Sequence, residues 1–462
     1  MDTREKYATV SYASTSIRNN KVILFLESII LAILVVFIYL QACMLKETWN
    51  SLVSPSPPRS AETSFKHLAK HCAQVPPISA DEFHSRQVAL ARTLHELGAV
   101  AYIAEPGANA EFFGNISSSQ WHLSERPLLL IISPNELDGN VVPRISILTP
   151  TFEATRAKLL PVSSQDVSYF DWPEDSNPYD IAISSLPSNL KSGTIFVDNS
   201  IRKFISDGLA DAYTGGDILS APLEVRSLRE RKSAAEIKLL RCANEVTLMA
   251  IRAAREHFYI GMRESAAQGL VVKALADAGL KGGFALTLFG ENAALPHGSG
   301  TDRELGEGDF ILIDTGGSLH DYESDITRTF ALKDSIIPTG HLELWNIVRS
   351  AQLAAHHTAR NGTLTRRVDE AARAVITEAG YGRYFTHRLG HGIGLEGHEA
   401  PYLRGGSDDI IRPGHSFSNE PGIYIEGKVG VRLEDIFYIS EDGIAVFLTD
   451  GVGGLATSPW KI

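Results

Sequence analysis

The chain has 462 residues, 44% hydrophobic and 21% charged, an ordinary globular composition with room for two domains. Its formal net charge of −12 argues against a nucleic-acid binder, which would carry a basic face. Its three cysteines, Cys43, Cys72 and Cys242, rule out a disulfide framework and a CxxC zinc site; they allow at most one bridge and leave the redox compartment open.

The first element is apolar. Residues 22–45 are interrupted only by Glu27, Ser28 and Gln41, and about 20 apolar residues span a bilayer as a helix. The run is long for a signal peptide, and Ala42-Cys43-Met44 is a poor cleavage site. An uncleaved transmembrane signal anchor at 22–45 is therefore expected, with residues 1–21 as a cytoplasmic tail. Arg4, Lys6, Arg18 and Lys21 precede the span, while Lys46 and Arg59 follow it. That bias puts the bulk of the chain in a lumenal or extracellular space. Residues 46–77 read as a Pro/Ser-rich stalk. Two N-glycosylation sequons, Asn115-Ile116-Ser117 and Asn361-Gly362-Thr363, are compatible with that side.

A first domain is expected over 78–223. It opens with a capping-box pattern, Ser79 to Glu82, ahead of a helix with Phe83, Leu90, Leu94 and Leu97 on its apolar face. Strands follow at 99–104, 128–132, 145–148 and 194–197, and 172–178 reads as a loop. Alternation of strands and helices indicates an α/β layer. The second domain, 228–462, begins with another capping box, Ser233 to Glu236. Helices are expected near 264–278, 341–360 and 367–379. The order is helix, helix, hairpin, twice over, which predicts an α+β fold with pseudo-twofold character and both hairpins on one sheet.

The hairpins carry the chemistry. Asp314 ends one apolar run and Asp325 opens the next, with Gly316, Gly317 and Ser318 read as the turn between them. Folded at that midpoint, the two aspartates face each other. Glu420 and Glu434 flank a second hairpin whose tip is Glu426-Gly427-Lys428. Like charges opposite one another on a sheet are destabilising, so two such pairs call for cations between them. With His391 added, the set suits divalent metals, Mn²⁺ foremost and Co²⁺ or Zn²⁺ as alternatives. Two ions roughly 3.5–4 Å apart can share a hydroxide and polarise a carbonyl, which is the equipment for amide hydrolysis. His387, His398 and His297 are candidates to donate to the substrate carbonyl or its tetrahedral intermediate. Glycines 390, 392 and 394 would let the backbone approach ligands. His356 and His357 receive no role. Gly392 to Gly397 matches GxGxxG without the flanking strand and helix of a dinucleotide loop, and Tyr402 breaks an HExxH pattern at His398.

Five segments together, Leu312 to Gly316, Tyr322 to Thr329, His387 to Gly392, Asn419 to Tyr424 and Val431 to Glu434, resemble the pita-bread metallopeptidases, family M24, and most of all the Xaa-Pro aminopeptidase and Xaa-Pro dipeptidase (prolidase) branch. The resemblance covers 228–462 and, more faintly, 78–223 as a creatinase-type N-terminal domain. It implies that Asp325, His391, Glu420 and Glu434 hold one metal, that Asp314, Asp325 and Glu434 hold the other, and that Glu420 is the general base. It further implies that His297, His387 and His398 serve substrate and transition state, that Arg432 supports the site, that proline-containing peptides are the substrates, and that the protein is a homodimer. The membrane segment lies outside the family pattern. Two other readings share the fold: a metal-free creatinase-like hydrolase, disfavoured because four carboxylates without cations would repel, and an inactive binding module, disfavoured because no ligand is missing.

Overall fold

The computed structural model describes Gln41 and residues 63–164, 166–187 and 192–462. The expected membrane span therefore lies outside the described residues but for Gln41. Among the described residues no helix is long and apolar enough to cross a membrane. Residues Ser64–Ile462 form one unit.

Its N-terminal part is a six-stranded mixed sheet in the order β4-β3-β2-β1-β5-β6. The strands are β1 (Ala99–Ala104), β2 (Leu129–Leu137), β3 (Asn140–Pro150), β4 (Val167–Trp172), β5 (Thr194–Val197) and β6 (Ile218–Ser220). β4 occupies residues the sequence left unassigned, and it ends at Trp172, where a loop was expected. All six residues of β1 are buried, as expected of a central strand covered on both faces. The helix Ala80–Glu96 starts where expected, with Ser79 Oγ accepting from the Glu82 backbone N–H at 3.2 Å. The reciprocal half of that capping box does not form. The Glu82 carboxylate is engaged by Arg86 at 2.8 Å and by Ser233 Oγ at 2.6 Å instead. The box at Ser233 and Glu236 is complete.

Residues 64–77, expected as the end of a stalk, are partly core. Phe65, Leu68 and Cys72 are buried against the helices Ala234–Arg255 and Glu264–Asp277. Three apolar residues at three- and four-residue spacing were hidden by the Pro/Ser-rich segment before them. Cys72 is joined to Cys242 of the first of these helices.

Among the described residues, the larger part holds three sheets rather than one. β7 (Lys281–Phe289), β8 (Ile311–Leu319), β9 (Tyr322–Glu323) and β10 (Ile326–Phe330) form the first. β11 (Gly390–Gly392), β12 (Glu399–Leu403), β13 (Ser416–Asn419), β16 (Asp435–Ile439) and β17 (Ala445–Phe447) form the second, and β14 (Gly422–Ile425) pairs with β15 (Val429–Arg432) as the third. The two hairpins therefore meet through local bonds instead of a shared ladder: the Glu434 N–H donates to Thr327 O at 3.0 Å, and Thr329 Oγ1 donates to Arg432 O at 2.8 Å. Helices Thr339–Thr358 and Thr365–Glu378 pack their buried faces, Trp345, Val348, Val368 and Ile376 among them, into this core.

The N-terminal sheet is docked by a buried arginine. Arg86 donates to the Tyr322 hydroxyl at 3.2 Å and lies 3.5 Å from Glu236, to which Tyr322 also donates at 2.9 Å. Tyr322 belongs to the first carboxylate hairpin, so this contact ties the two parts of the unit together at the site.

Candidate metal centre

The first hairpin turns later than the sequence suggested. β8 runs on through Gly316 and Gly317, and the chain reverses at His320 and Asp321, both in the left-handed region (φ 49° and 67°). Gly316 is there for close approach: a Cβ would lie 1.9 Å from Ser324 O. The shift changes the register. Asp314 pairs with Thr327, not Asp325. Asp325 lies two residues before Thr327 and so shares its face, diagonal to Asp314. The second hairpin obeys the expected register. Asn419 pairs with Asp435 and Gly422 with Arg432, which leaves Glu420 and Glu434 opposite each other in the gap between two short ladders.

His391 is held by three neighbours. A Cβ on Gly390 would sit 2.1 Å from Ser418 O, so β11 can approach β13 closely only because that residue is glycine. The glycines thus bring strands together rather than backbone to ligand. Ser418 Oγ then accepts from the His391 backbone N–H at 3.0 Å, and His391 Nδ1 faces Gly392 O at 3.0 Å. Since a carbonyl only accepts, Nδ1 carries a proton, and Nε2 points at the carboxylates. It lies 3.3 Å from Glu420 and 3.9 Å from Asp325.

Ligand-type atoms converge in overlapping groups, each within 4.8 Å: Asp314 with Asp325 and Glu434; His391 with Glu420 and Glu434; and Asp325 with His391 and His398. Asp325 Oδ1 and Glu434 Oε1 are buried with no hydrogen-bond partner among the described residues. Burial, then Glu434, Asp314 and Glu420, push the Asp325 carboxyl well up; burial, then Glu420 and Asp314, do the same to Glu434. Burial also works against charge on Glu420, yet the hydrogen bond and charge of His391 hold it down at about 2. Oxygen-rich donors, orphaned oxygens and mutual repulsion are what a site for divalent cations presents.

Among the described residues, Arg432 is the one buried cation at this cluster. It donates to Asp314 at 2.6 Å, to Thr327 Oγ1 at 3.1 Å and to the Tyr424 hydroxyl at 3.0 Å. The Thr327 hydroxyl donates in turn to Glu434 at 2.7 Å. Asn244 accepts from the Asp325 backbone N–H at 3.2 Å. Sequence reasoning missed Thr327, Tyr424, Ser418 and Asn244. Only Thr327 carried a signal, since it shares the parity of Asp325 on a strand.

The cluster opens into a cavity of about 730 Å³ whose lining includes His297, His387, His398, Arg388 and Arg404. His297 and His398 are exposed to it, and neither makes a side-chain hydrogen bond among the described residues. The His398 ring lies 4.0 Å from that of His391; one edge is open to the cavity, and the partial burial of the rest, followed by the charge of His391, lowers its pKa. His387 differs from expectation. Its Nδ1 faces Arg388 O at 2.7 Å and its Nε2 faces the Tyr424 hydroxyl at 2.9 Å, so both nitrogens are taken. Burial lowers its pKa, so Nε2 accepts from Tyr424. His356 does not line this cavity and stacks on Phe447 at 4.0 Å.

Comparison with known proteins identifies the family. The model of metallopeptidase family M24 matches residues 238–441. An uncharacterized peptidase of Schizosaccharomyces pombe is 36% identical over 413 residues, 87% of this chain and 90% of that protein. The crystal structure of dipeptidase PepE from Mycobacterium ulcerans superposes with a TM-score of 0.72 at 29% identity, covering 81% of this chain and 97% of that one. A prolidase from Thermococcus sibiricus gives 0.69 at 26% identity, covering 79% and 96%. The chain has the pita-bread architecture and belongs to metallopeptidase family M24.

Proposed function

We propose that the protein is a two-metal peptidase that hydrolyses Xaa-Pro bonds, with short peptides ending in proline as preferred substrates. One observation carries this reading: four carboxylates and His391 converge with two buried oxygens unpartnered among the described residues, facing a cavity of about 730 Å³. Asp325, His391, Glu420 and Glu434 would hold one divalent ion, and Asp314, Asp325 and Glu434 the other, with Mn²⁺ the favoured metal. When bound, such a pair supplies an activated water and polarises the scissile carbonyl. Glu420, whose carboxylate faces His391 Nε2 at 3.3 Å, would accept the proton of that water. His398 and His297 are free to donate to the developing oxyanion. His387 is a positioning residue, acting through Tyr424 on Arg432.

Proline fits because an X-Pro amide has no N–H. A site that works on the carbonyl does not need that donor. Length preference rests on Arg388 and Arg404, which stack on Tyr402 at 4.6 and 5.7 Å. Neither pairs with a carboxylate among the described residues, so the cavity can receive a free C-terminal carboxylate. Membrane anchorage through 22–45 and a homodimer belong to the proposal on sequence grounds alone. The test is hydrolysis of an X-Pro dipeptide beside an X-Pro tripeptide, with the full chain stripped of metal and then resupplied with Mn²⁺. Metal-dependent dipeptide cleavage supports the reading, cleavage of the tripeptide alone makes the protein an aminopeptidase, and silence on both with metal bound leaves a binding module.

A further inference from the structure

The two cysteines of the described unit are paired far across the sequence. Cys72 follows the short 3-10 helix Lys66–Lys70, and Cys242 sits inside the helix Ala234–Arg255. Their Cα atoms are 5.8 Å apart, within the range a disulfide requires, and both side chains are buried in the main core. Such a bond persists where thiols are kept oxidised and is rare in a reducing cytosol.

The two sequons are in very different places. Asn361-Gly362-Thr363 lies in the connection between the helices Thr339–Thr358 and Thr365–Glu378. Asn361 and Gly362 are exposed, Gly362 has φ 87°, and the Asn361 carboxamide makes no hydrogen bond among the described residues. Asn115 closes the helix Ala108–Gly114 in the left-handed region, and its amide nitrogen donates to Pro161 O at 2.9 Å. Ile116 beside it is core, and Ser117 is 5% exposed. A glycan on Asn115 would have to displace a packed turn, whereas one on Asn361 projects from a surface loop.

We propose that this unit is matured in an oxidising, glycosylating compartment, carrying a Cys72–Cys242 disulfide and a single N-linked oligosaccharide, on Asn361 and not on Asn115. In the first step the two thiols lose two protons and two electrons to the disulfide of a thiol oxidoreductase, which becomes a dithiol. In the second, the Asn361 carboxamide nitrogen attacks C1 of a lipid-pyrophosphate-linked oligosaccharide. The C1–N bond forms as the C1–O bond breaks, the amide proton is released, and lipid pyrophosphate leaves. The inference is independent of the substrate and agrees with the orientation expected from the charges around residues 22–45.

The test is to express the full chain in a eukaryotic cell and treat it with an N-glycosidase. One glycan-sized step in mobility is expected, absent in Asn361→Gln and in Thr363→Ala, and retained in Asn115→Gln. Thr363→Ala keeps the asparagine and so separates loss of the glycan from damage to the turn. Thiol alkylation of the denatured chain should leave Cys72 and Cys242 unlabelled before reduction and label both after it. An unshifted wild-type band, a step lost in Asn115→Gln, or alkylation of Cys72 and Cys242 without reduction would each overturn the proposal.

Discussion

Glu434 and Asp435 are neighbours on one chain, both at least 98% buried, yet they live by opposite rules. Asp435 faces the core and has its cation in the sequence. Arg328 grips it with two bonds, at 2.8 and 3.0 Å, and Gln352 and Thr449 complete the shell at 3.1 and 2.9 Å. Glu434 faces the cavity with Thr327 on one oxygen and, among the described residues, no partner on the other. The difference shows how to tell a structural carboxylate from a candidate ligand. Both are buried, but only the first is satisfied by the protein itself, and the strand's two-residue alternation separates them.

That contrast can be broken most sharply at Glu434. Glu434→Gln should abolish metal binding and peptidase turnover while raising the thermal stability of the metal-free protein at neutral pH, because it removes a carboxyl whose ionisation burial and its acidic neighbours oppose. Calorimetry and a Mn²⁺ titration would read both. Retained turnover would sink the metal assignment. Asp435→Asn should do the reverse, costing about 3–5 kcal/mol in chemical denaturation because Arg328 is left buried and unpaired. Equal destabilisation by the two substitutions would erase the distinction.

Thr327→Val sharpens the comparison from the second layer. It removes the hydroxyl that links Arg432 to Glu434, and metal affinity or turnover should fall by about 10–100-fold with the fold intact. Acidity gives a subtler test. Asp325 and Glu434 have folded-state pKa values raised above the ordinary carboxylate range. Their contribution to the stability of the metal-free protein is therefore full below that range and is lost as pH rises through the raised values. The metal-free melting temperature should fall from mildly acidic to neutral pH, more than it does in Glu434→Gln. Metal affinity should rise over the same window, as protons cease to compete. The smallest effect is expected at the cavity mouth. Arg404→Ala should raise KM for an X-Pro dipeptide with little change in kcat, measured by steady-state kinetics, and an unchanged KM would remove the carboxylate reading.

Much of this was legible in the chain. Strand and helix positions follow from apolar periodicity and caps, which are local, and β5 falls at 194–197 as expected. The candidate ligands were legible because acidic residues recur at strand ends on both sides of two hairpins, a pattern that calls for cations, although only Glu420 and Glu434 prove to lie opposite each other. What local pattern could not reach was the register of the first hairpin. Glycines in a strand that needs close approach look the same in sequence as glycines in a turn, and only the packing of Gly316 against Ser324 distinguishes them.

By itself, then, the sequence picked out the candidate side chains and the elements that carry them, because both depend on residue type and short spacing. Tertiary structure decided the rest. It set Asp314 diagonal to Asp325, turned His387 toward Tyr424, made Thr327 the bridge between hairpins and brought Cys72 to Cys242 across 170 residues. Each of these is a contact between segments far apart in the chain, and its partner is chosen by how layers pack, not by which residues are adjacent.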